Sequence, residues 1–305
     1  MKNYMSREIN YTIIIPHKNM PELLQRCLDS IPQRDDIQII VVDDNSDPDI
    51  VNFEIFPGVA KSYTEVIFTK EGKGAGYARN VGLKKAVGKW ILFADADDFF
   101  ADGFLEHVDK YHKSAYDLVY FGVYRISKET EKKSNIDPYY EKLMKGAIYE
   151  QKHEEYKYGA YVPWGKIIKL SLIKENNIIF DETIVANDKI FSIKAAHNAT
   201  NIHFDERKIY TYMPANSILT PIKTPKANFD RFCVYVRMNR FFEDISQEKY
   251  KINLILPLKN LIDAKNMKYF YKGVRLFRES NFSFFSELFR FCWIFPQKIL
   301  GKLIR

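Results

Sequence analysis

The sequence predicts an α/β fold, a doubly wound and mostly parallel sheet followed by a small helical C-terminal region. Three features predict it: short unbroken β-branched runs, amphipathic stretches between them, and acidic or glycine-rich turns where the runs end. Runs that are apolar throughout belong in a parallel sheet covered on both faces, whose ligands sit beyond the carboxyl ends of the strands.

Tyr11 to Pro16 (YTIIIP) and Ile37 to Asp43 (IQIIVVD) read as the first two strands, with an amphipathic stretch from Pro21 to Ile31 between them. Thr64 to Thr69 supplies a third strand, Gly72 to Gly76 a loop, Tyr77 to Val87 a helix and Trp90 to Ala94 a fourth strand that ends at Asp95. Asp117 to Tyr124 is a fifth. The charged, tyrosine-rich segment from Lys128 to Tyr158 has weak periodicity and reads as an excursion outside the core. Compact apolar runs from Tyr161 to Tyr212 complete the same domain, and helical periodicity takes over after Pro225. The expected division is a catalytic domain over 1–220, a helical region over 221–280 and a tail over 281–305.

A chain of 305 residues, 46% hydrophobic, can bury a full α/β core with residues to spare. The formal charge of +7 arises from 46 basic and 39 acidic residues, a modest excess that fits an anionic partner without choosing one. There is no concentrated basic stripe or stacking motif of a nucleic-acid binder. Cys27, Cys233 and Cys292 lie far apart with no C-x-x-C pair, against both a disulfide framework and a structural zinc site. With no apolar signal core after Met1 and no run of about 18 uncharged apolar residues, the expectation is a cytoplasmic protein without a membrane span.

Chemistry concentrates at the strand ends. Asp95-Ala96-Asp97-Asp98 follows the fourth strand, and carboxylates this close repel one another unless a cation or solvent compensates. Oxygen ligands of this kind suit Mg²⁺ or Mn²⁺ bridging to phosphate, while a solvated acidic turn capping the next helix is the alternative. Asp43-Asp44-Asn45-Ser46 ends the second strand, placed to accept from a base or ribose, or to form an Asx-turn. Gly72 to Gly76 leads into a helix N-terminus suited to anions, with Arg79 one turn in. The third glycine of a dinucleotide fingerprint and the Gly-Lys-Ser/Thr of a P-loop are both missing.

Taken together, Ile15-Pro16-His17-Lys18-Asn19, Asp43-Asp44-x-Ser46, Gly76-x-Ala78-Arg79-Asn80-x-Gly82-x-x-x-Ala86-x-Gly88 and Phe93-x-Asp95-x-Asp97-Asp98 occur in an order and spacing that resemble the family 2 glycosyltransferases. The resemblance covers roughly the first hundred residues and implies the Rossmann-like GT-A fold. It implies that the Pro16 region, Asp43 and Asp44 border the base and ribose of a nucleotide-sugar donor, and that Asp95, with Ala96 beside it, contacts the ribose. Asp97 and Asp98 would hold a divalent metal, Mn²⁺ or Mg²⁺, and Arg79 would lie near the nucleotide or support the acidic loop.

Val162-Pro163-Trp164-Gly165-Lys166-Ile167-Ile168 is similar to the Trp-x-Lys segment that precedes the acceptor side in capsule and lipopolysaccharide transferases. There a Glu-Asp pair follows; here it is Asn187-Asp188, and Asp188 is implied as the general base, a helix N-cap being the alternative. The implied reaction is inverting transfer to a saccharide or lipid-linked acceptor in bacterial surface polysaccharide synthesis. A nucleotidyltransferase would want a glycine-rich basic loop after the first strand, which Pro16-His17-Lys18-Asn19 is not, and a silent scaffold is the remaining alternative. The tail from Phe282 to Arg305 mixes aromatics with Arg290, Lys298, Lys302 and Arg305, a composition suited to the cytoplasmic membrane surface or to packing on protein.

Overall fold

The computed structural model describes residues 8–126, 133–134, 138–213, 224–262, 267–280, 282–283 and 287. The chain divides into two compact units: one of Met1–Glu182 and Asn187–Ile218, the other of Thr183–Ala186 and Leu219–Arg305.

The first unit begins with β1 (Tyr11–His17), α1 (Pro21–Asp29), β2 (Ile37–Asp44), β3 (Thr64–Thr69), α2 (Ala75–Lys85) and β4 (Trp90–Phe93). These strands pair in parallel in the order β3-β2-β1-β4. All residues of β1 and β2 are buried, as expected of strands covered on both faces. Then follow β5 (Phe99–Phe100), α3 (Phe104–Val108), β6 (Leu118–Ile126), β7 (Lys133–Ser134), α4 (Pro138–Tyr149), α5 (His153–Gly159), β8 (Lys166–Lys169), α6 (Leu170–Glu175), α7 (Lys189–Asn198) and β9 (Ile202–Tyr212). The sheet continues β8-β6-β9-β5, with β8 antiparallel to β4 and β6, β6 parallel to β9, and β5 antiparallel to β9. The sheet is thus wholly parallel in its first half and mixed in its second. The ends of β1, β2, β4 and β6 all emerge on one edge.

Two sequence expectations change. The segment around 128–158 is not outside the core: α4 and α5 bury Met144, Ala147, Tyr156 and Tyr158, and Met144, Ala147 and Tyr156 belong to the cluster that also holds Tyr120 and Phe204. Tyr140, Met144 and Ala147 recur at helical spacing, but the lysines and glutamates between them hide the pattern. Helix α2 also starts earlier than its apolar pattern, because Gly74 takes φ +94° and turns the chain into the helix. It stops at Ala86, which is extended.

The second unit holds α8 (Pro225–Asp244), α9 (Ile255–Lys259) and α10 (Lys268–Glu279). Thr224 caps α8 by accepting from the Ala227 amide, with Pro225 in the first turn. Phe232, Val236, Leu254, Leu261 and Phe277 form its core, and Phe282 packs against them. Asn239 is fully buried and holds both backbone groups of Ile252 at 2.7 Å. Within the expected tail, Glu287 is buried and accepts from the Leu254 amide at 2.8 Å, while residues 284–286 and 288–305 lie outside the described residues. No helix among the described residues is long and apolar enough to cross a membrane.

Gly88 ties the α2–β4 turn to β1: a methyl group there would meet the Thr12 amide nitrogen and the Tyr11 carbonyl carbon, each at 2.5 Å. Gly88→Ala should therefore cost about 2–3 kcal/mol, read as a lower urea midpoint with an unchanged slope.

Candidate functional site

The site grows from the strand ends. At the tip of β1, His17 is 2% exposed, and its Nε2 accepts from the Met20 amide at 3.1 Å, so its Nδ1 donates to Asp43 Oδ2 at 2.7 Å. Asp43 also accepts from the Ser46 amide at 2.9 Å and the Ser46 hydroxyl at 2.5 Å. Burial alone would raise the Asp43 carboxyl, but the bonds from His17 and Ser46 outweigh it and hold its pKa below the ordinary aspartate value. Three of the roughly four lone-pair positions on this carboxylate therefore shape the loop. Asp44 accepts from the amides of Lys73 at 3.0 Å and Gly74 at 2.6 Å, clamping the glycine loop against the end of β2. Pro16 is buried within β1 opposite Val42, so it sets the wall and not a polar contact.

Beyond β4, Asp95, Asp97 and Asp98 bring carboxylate oxygens within 4.8 Å of one another. Ala96 between them is 3% exposed and packs into the core. Burial and then repulsion from Asp95 push the Asp97 carboxyl up to about 6. Asp98 is raised well above the ordinary value, by burial and then by Asp95 and Asp97. Its oxygens accept from the Tyr210 hydroxyl at 2.9 Å and the Met213 amide at 2.8 Å, and the same Tyr210 oxygen accepts from the Asp95 amide at 2.8 Å. The donor set is all hard oxygen and carries mutually repelling charge, which fits a Mg²⁺- or Mn²⁺-type dication.

Arg79 connects this cluster to the second half of the unit. Its side chain is 5% exposed; it donates to Asp95 Oδ1 at 2.5 Å and to Asn187 Oδ1 at 3.0 Å, and it lies over the Phe180 ring at 5.3 Å. Asn187 is buried, and its backbone oxygen accepts from the Asp181 amide at 3.1 Å. Gly76 permits this approach, since a Cβ there would lie 2.0 Å from the Asp181 carbonyl oxygen. Asp188 follows at the N-cap position of α7, yet its side chain makes no capping bond. Burial raises its carboxyl, opposed by Lys189 and Arg79, which gives this carboxyl heightened proton affinity.

Behind Asp188 stands the Trp-x-Lys segment. Trp164 stacks against Tyr210 at 5.4 Å and Tyr212 at 5.0 Å, tying it to the strand that also supports Asp95 and Asp98. Lys166 is 3% exposed, with Nζ 3.4 Å from the Ala160 oxygen and 4.9 Å from the Tyr120 ring centre. Burial lowers its pKa to about 7 against the pull of Asp188.

The structure thus gathers Arg79, Asp95, Asp97, Asp98 and Asp188 around one network and places Asp43 and Asp44 at the adjoining loop. Sequence reasoning passed over His17 and Tyr210 as working parts, and singled out Asn187 only as a departure from the Glu-Asp pair. The place of His17 and Asp43 at the ends of two neighbouring strand-like runs was the available signal for the first; nothing local announced that Tyr210 would reach Asp95 and Asp98.

Tyr210→Phe leaves the Asp95 amide and Asp98 short of a partner, and should cost about 2 kcal/mol of stability by equilibrium denaturation. Lys166 binds fewer protons folded than unfolded between pH of about 7 and the ordinary lysine value near about 10.4. Its contribution to stability therefore rises with pH across that window. Lys166→Met should be more stable than the parent at neutral pH, with the difference shrinking as pH rises; a constant difference in paired denaturation curves would contradict the lowered pKa.

The uncharacterized glycosyltransferase EpsJ of Bacillus subtilis strain 168 is 28% identical to this chain over 220 residues, covering 69% of the chain and 63% of EpsJ. The poly(ribitol-phosphate) beta-N-acetylglucosaminyltransferase TarS of Staphylococcus aureus strain Mu50 is 26% identical over 214 residues, 67% of the chain and 35% of TarS. The chain thus spans less than two thirds of the length of these curated relatives. Among solved structures, TarS 1–349 in complex with UDP-GlcNAc superposes with a TM-score of 0.61 at 18% identity, covering 89% of this chain and 81% of that one. The mannosyltransferase PcManGT from Pyrobaculum calidifontis, in complex with GDP-Man and Mn²⁺, gives 0.56 at 15% identity, covering 96% and 81%. At these identities the likeness establishes the shared GT-A fold. The family model described as glycosyl transferase family 2 matches residues 12–176, more than half of the sequence, and the chain belongs to that family.

Proposed function

We propose that this protein is an inverting glycosyltransferase that moves a sugar from a nucleotide-diphosphate sugar, with UDP as the carrier, to a hydroxyl of a saccharide or lipid-linked saccharide in surface polysaccharide synthesis. The observation that carries it is the Arg79 bridge from Asp95 to Asn187, which sets an acidic cluster and an uncommitted base on one framework. Family membership, the UDP-GlcNAc complex of TarS and the poly(ribitol-phosphate) polymer in the TarS name support the same reading.

The acceptor hydroxyl oxygen attacks the anomeric carbon from the face opposite the diphosphate, and Asp188 takes the proton as the new C–O bond forms. The bond to the diphosphate oxygen breaks, and the nucleoside diphosphate leaves with that electron pair. Asp97, with Asp95 and Asp98 beside it, would hold Mn²⁺ or Mg²⁺, which when bound neutralises charge on the diphosphate. Asp44 holds the glycine loop, and Asp43 with the Pro16 region shapes the pocket for base and ribose. Arg79 orients Asp95 through its ion pair, and the half-buried setting of Asp188 raises its basicity.

The test pairs binding with turnover. Wild-type protein should be stabilised thermally by a UDP-sugar with Mn²⁺ and not with EDTA. Asp188→Asn should keep that stabilisation and lose about 10²–10⁴-fold in acceptor-dependent UDP release, the range for a general base. Asp97→Asn should lose the metal-dependent stabilisation. Near-normal UDP release by Asp188→Asn would remove the assigned base, and stabilisation indifferent to EDTA would remove the metal.

A further inference from the structure

Residues 219–305 contain 17 Lys and Arg against 7 Asp and Glu, a formal charge of +10, although the whole chain is only +7. The remainder of the chain is therefore at −3, and the second unit carries the entire positive excess. Within that unit α10 is strongly two-sided. Gly273 and Phe277 are buried, with Phe270 and Leu276 packed on the core of Phe232, Val236, Leu254 and Leu261. The opposite side exposes Lys268, Tyr271, Lys272, Arg275 and Arg278, recurring at helical spacing.

Of the four cations on this side, Arg275 pairs with Glu279 at 2.7 Å. A Cβ on Gly273 would fall 2.4 Å from Leu261 Cδ1, so the segment through α9 packs directly on α10. Tyr271, among the α10 cations, is 67% exposed, and elsewhere in the same unit the α9 segment exposes Lys259, Leu256 at 41% and Ile262 at 55%.

We infer that this face of the second unit is a docking surface for an anionic lipid bilayer. Lysines and arginines near such a surface gain from its negative potential, and the exposed Tyr271 ring among them suits the headgroup layer better than a fully hydrated polyanion. The apolar side of α10 is already buried in its own unit, so the attraction must be electrostatic and not insertion of the helix. It follows that binding requires anionic lipid and weakens with salt, whereas anchoring by the aromatic tail would resist salt.

The experiment is flotation of the full chain with vesicles of phosphatidylcholine alone and of phosphatidylcholine mixed with phosphatidylglycerol. The parent should float with the anionic vesicles only and be released at salt approaching ~1 M, where the Debye length falls to ~3 Å. Lys268→Glu, Lys272→Glu, Arg275→Glu and Arg278→Glu combined should lower partitioning at least about tenfold. The same variant should keep its thermal stabilisation by a UDP-sugar and Mn²⁺, so loss of lipid binding is separable from failure of the donor site or of folding. Unchanged partitioning of the variant overturns the proposal, as does binding that survives high salt. Loss confined to a second variant carrying Arg290→Glu, Lys298→Glu and Lys302→Glu overturns it in favour of the tail. Binding of long-chain polyphosphate through the four α10 residues, with no binding to either vesicle, overturns it in favour of a soluble polyanion.

Discussion

The arrangement of the site depends on one side chain, Arg79. Its guanidinium is nearly buried, and a buried cation is costly unless paired; both terminal nitrogens find acceptors, while Nε is buried without one. Asp95 supplies the charge and Asn187 the second acceptor, and these two residues come from opposite halves of the sequence. Satisfying Arg79 therefore brings the loop after β4 against the segment before α7. Gly76, one turn earlier on α2, is the steric condition for the same approach. Asn187, which departs from the expected glutamate, contributes here as an acceptor, so the departure leaves the bridge intact. A glutamate at 187 would add a second negative charge to Arg79, and the amide in its place leaves more of the guanidinium's field for Asp95.

A second constraint runs through Tyr210. Strand β9 delivers one phenol oxygen to both the Asp95 amide and the Asp98 carboxylate, and its ring stacks on Trp164. Acidic loop, Trp-x-Lys segment and β9 are therefore tied together through one side chain. The acidic loop itself is electrostatically unrelieved: burial and neighbouring carboxylates raise both the Asp97 and the Asp98 carboxyls above the ordinary aspartate value. Such a loop is poised for a cation or an oriented donor, and the fold maintains that condition through hydrogen bonds to the backbone and Tyr210 without neutralising it.

Much of the nucleotide half was legible because its signals are local. Ile13 to Ile15 and Ile39 to Val42 are unbroken apolar runs, and Asp43-Asp44 and Asp95 to Asp98 sit immediately after strands, where the chain must turn. The segment around α4 and α5 was not legible, since its buried Met144, Tyr156 and Tyr158 are scattered among lysines and glutamates whose polarity dominates any short window. Asp188 was legible by its place after the Trp-x-Lys segment, but the decision between helix cap and base was not. A cap is a matter of side-chain geometry, and here the carboxylate makes no capping bond.

By itself the sequence determined the strand identities, the parallel first half of the sheet and the position of each acidic turn, because side-chain periodicity and turn chemistry act over a few residues. It also determined the +10 of the last 87 residues, since charge is additive along a chain. Only the tertiary structure decided that Arg79 joins Asp95 to Asn187, that Tyr210 serves two aspartates, that Lys166 is buried, and that the apolar side of α10 is hidden while its basic side is exposed. Each of these is a contact between residues distant in sequence, or a choice of which face is covered. Both are settled when the whole chain minimises buried unpaired polarity and exposed apolar surface together.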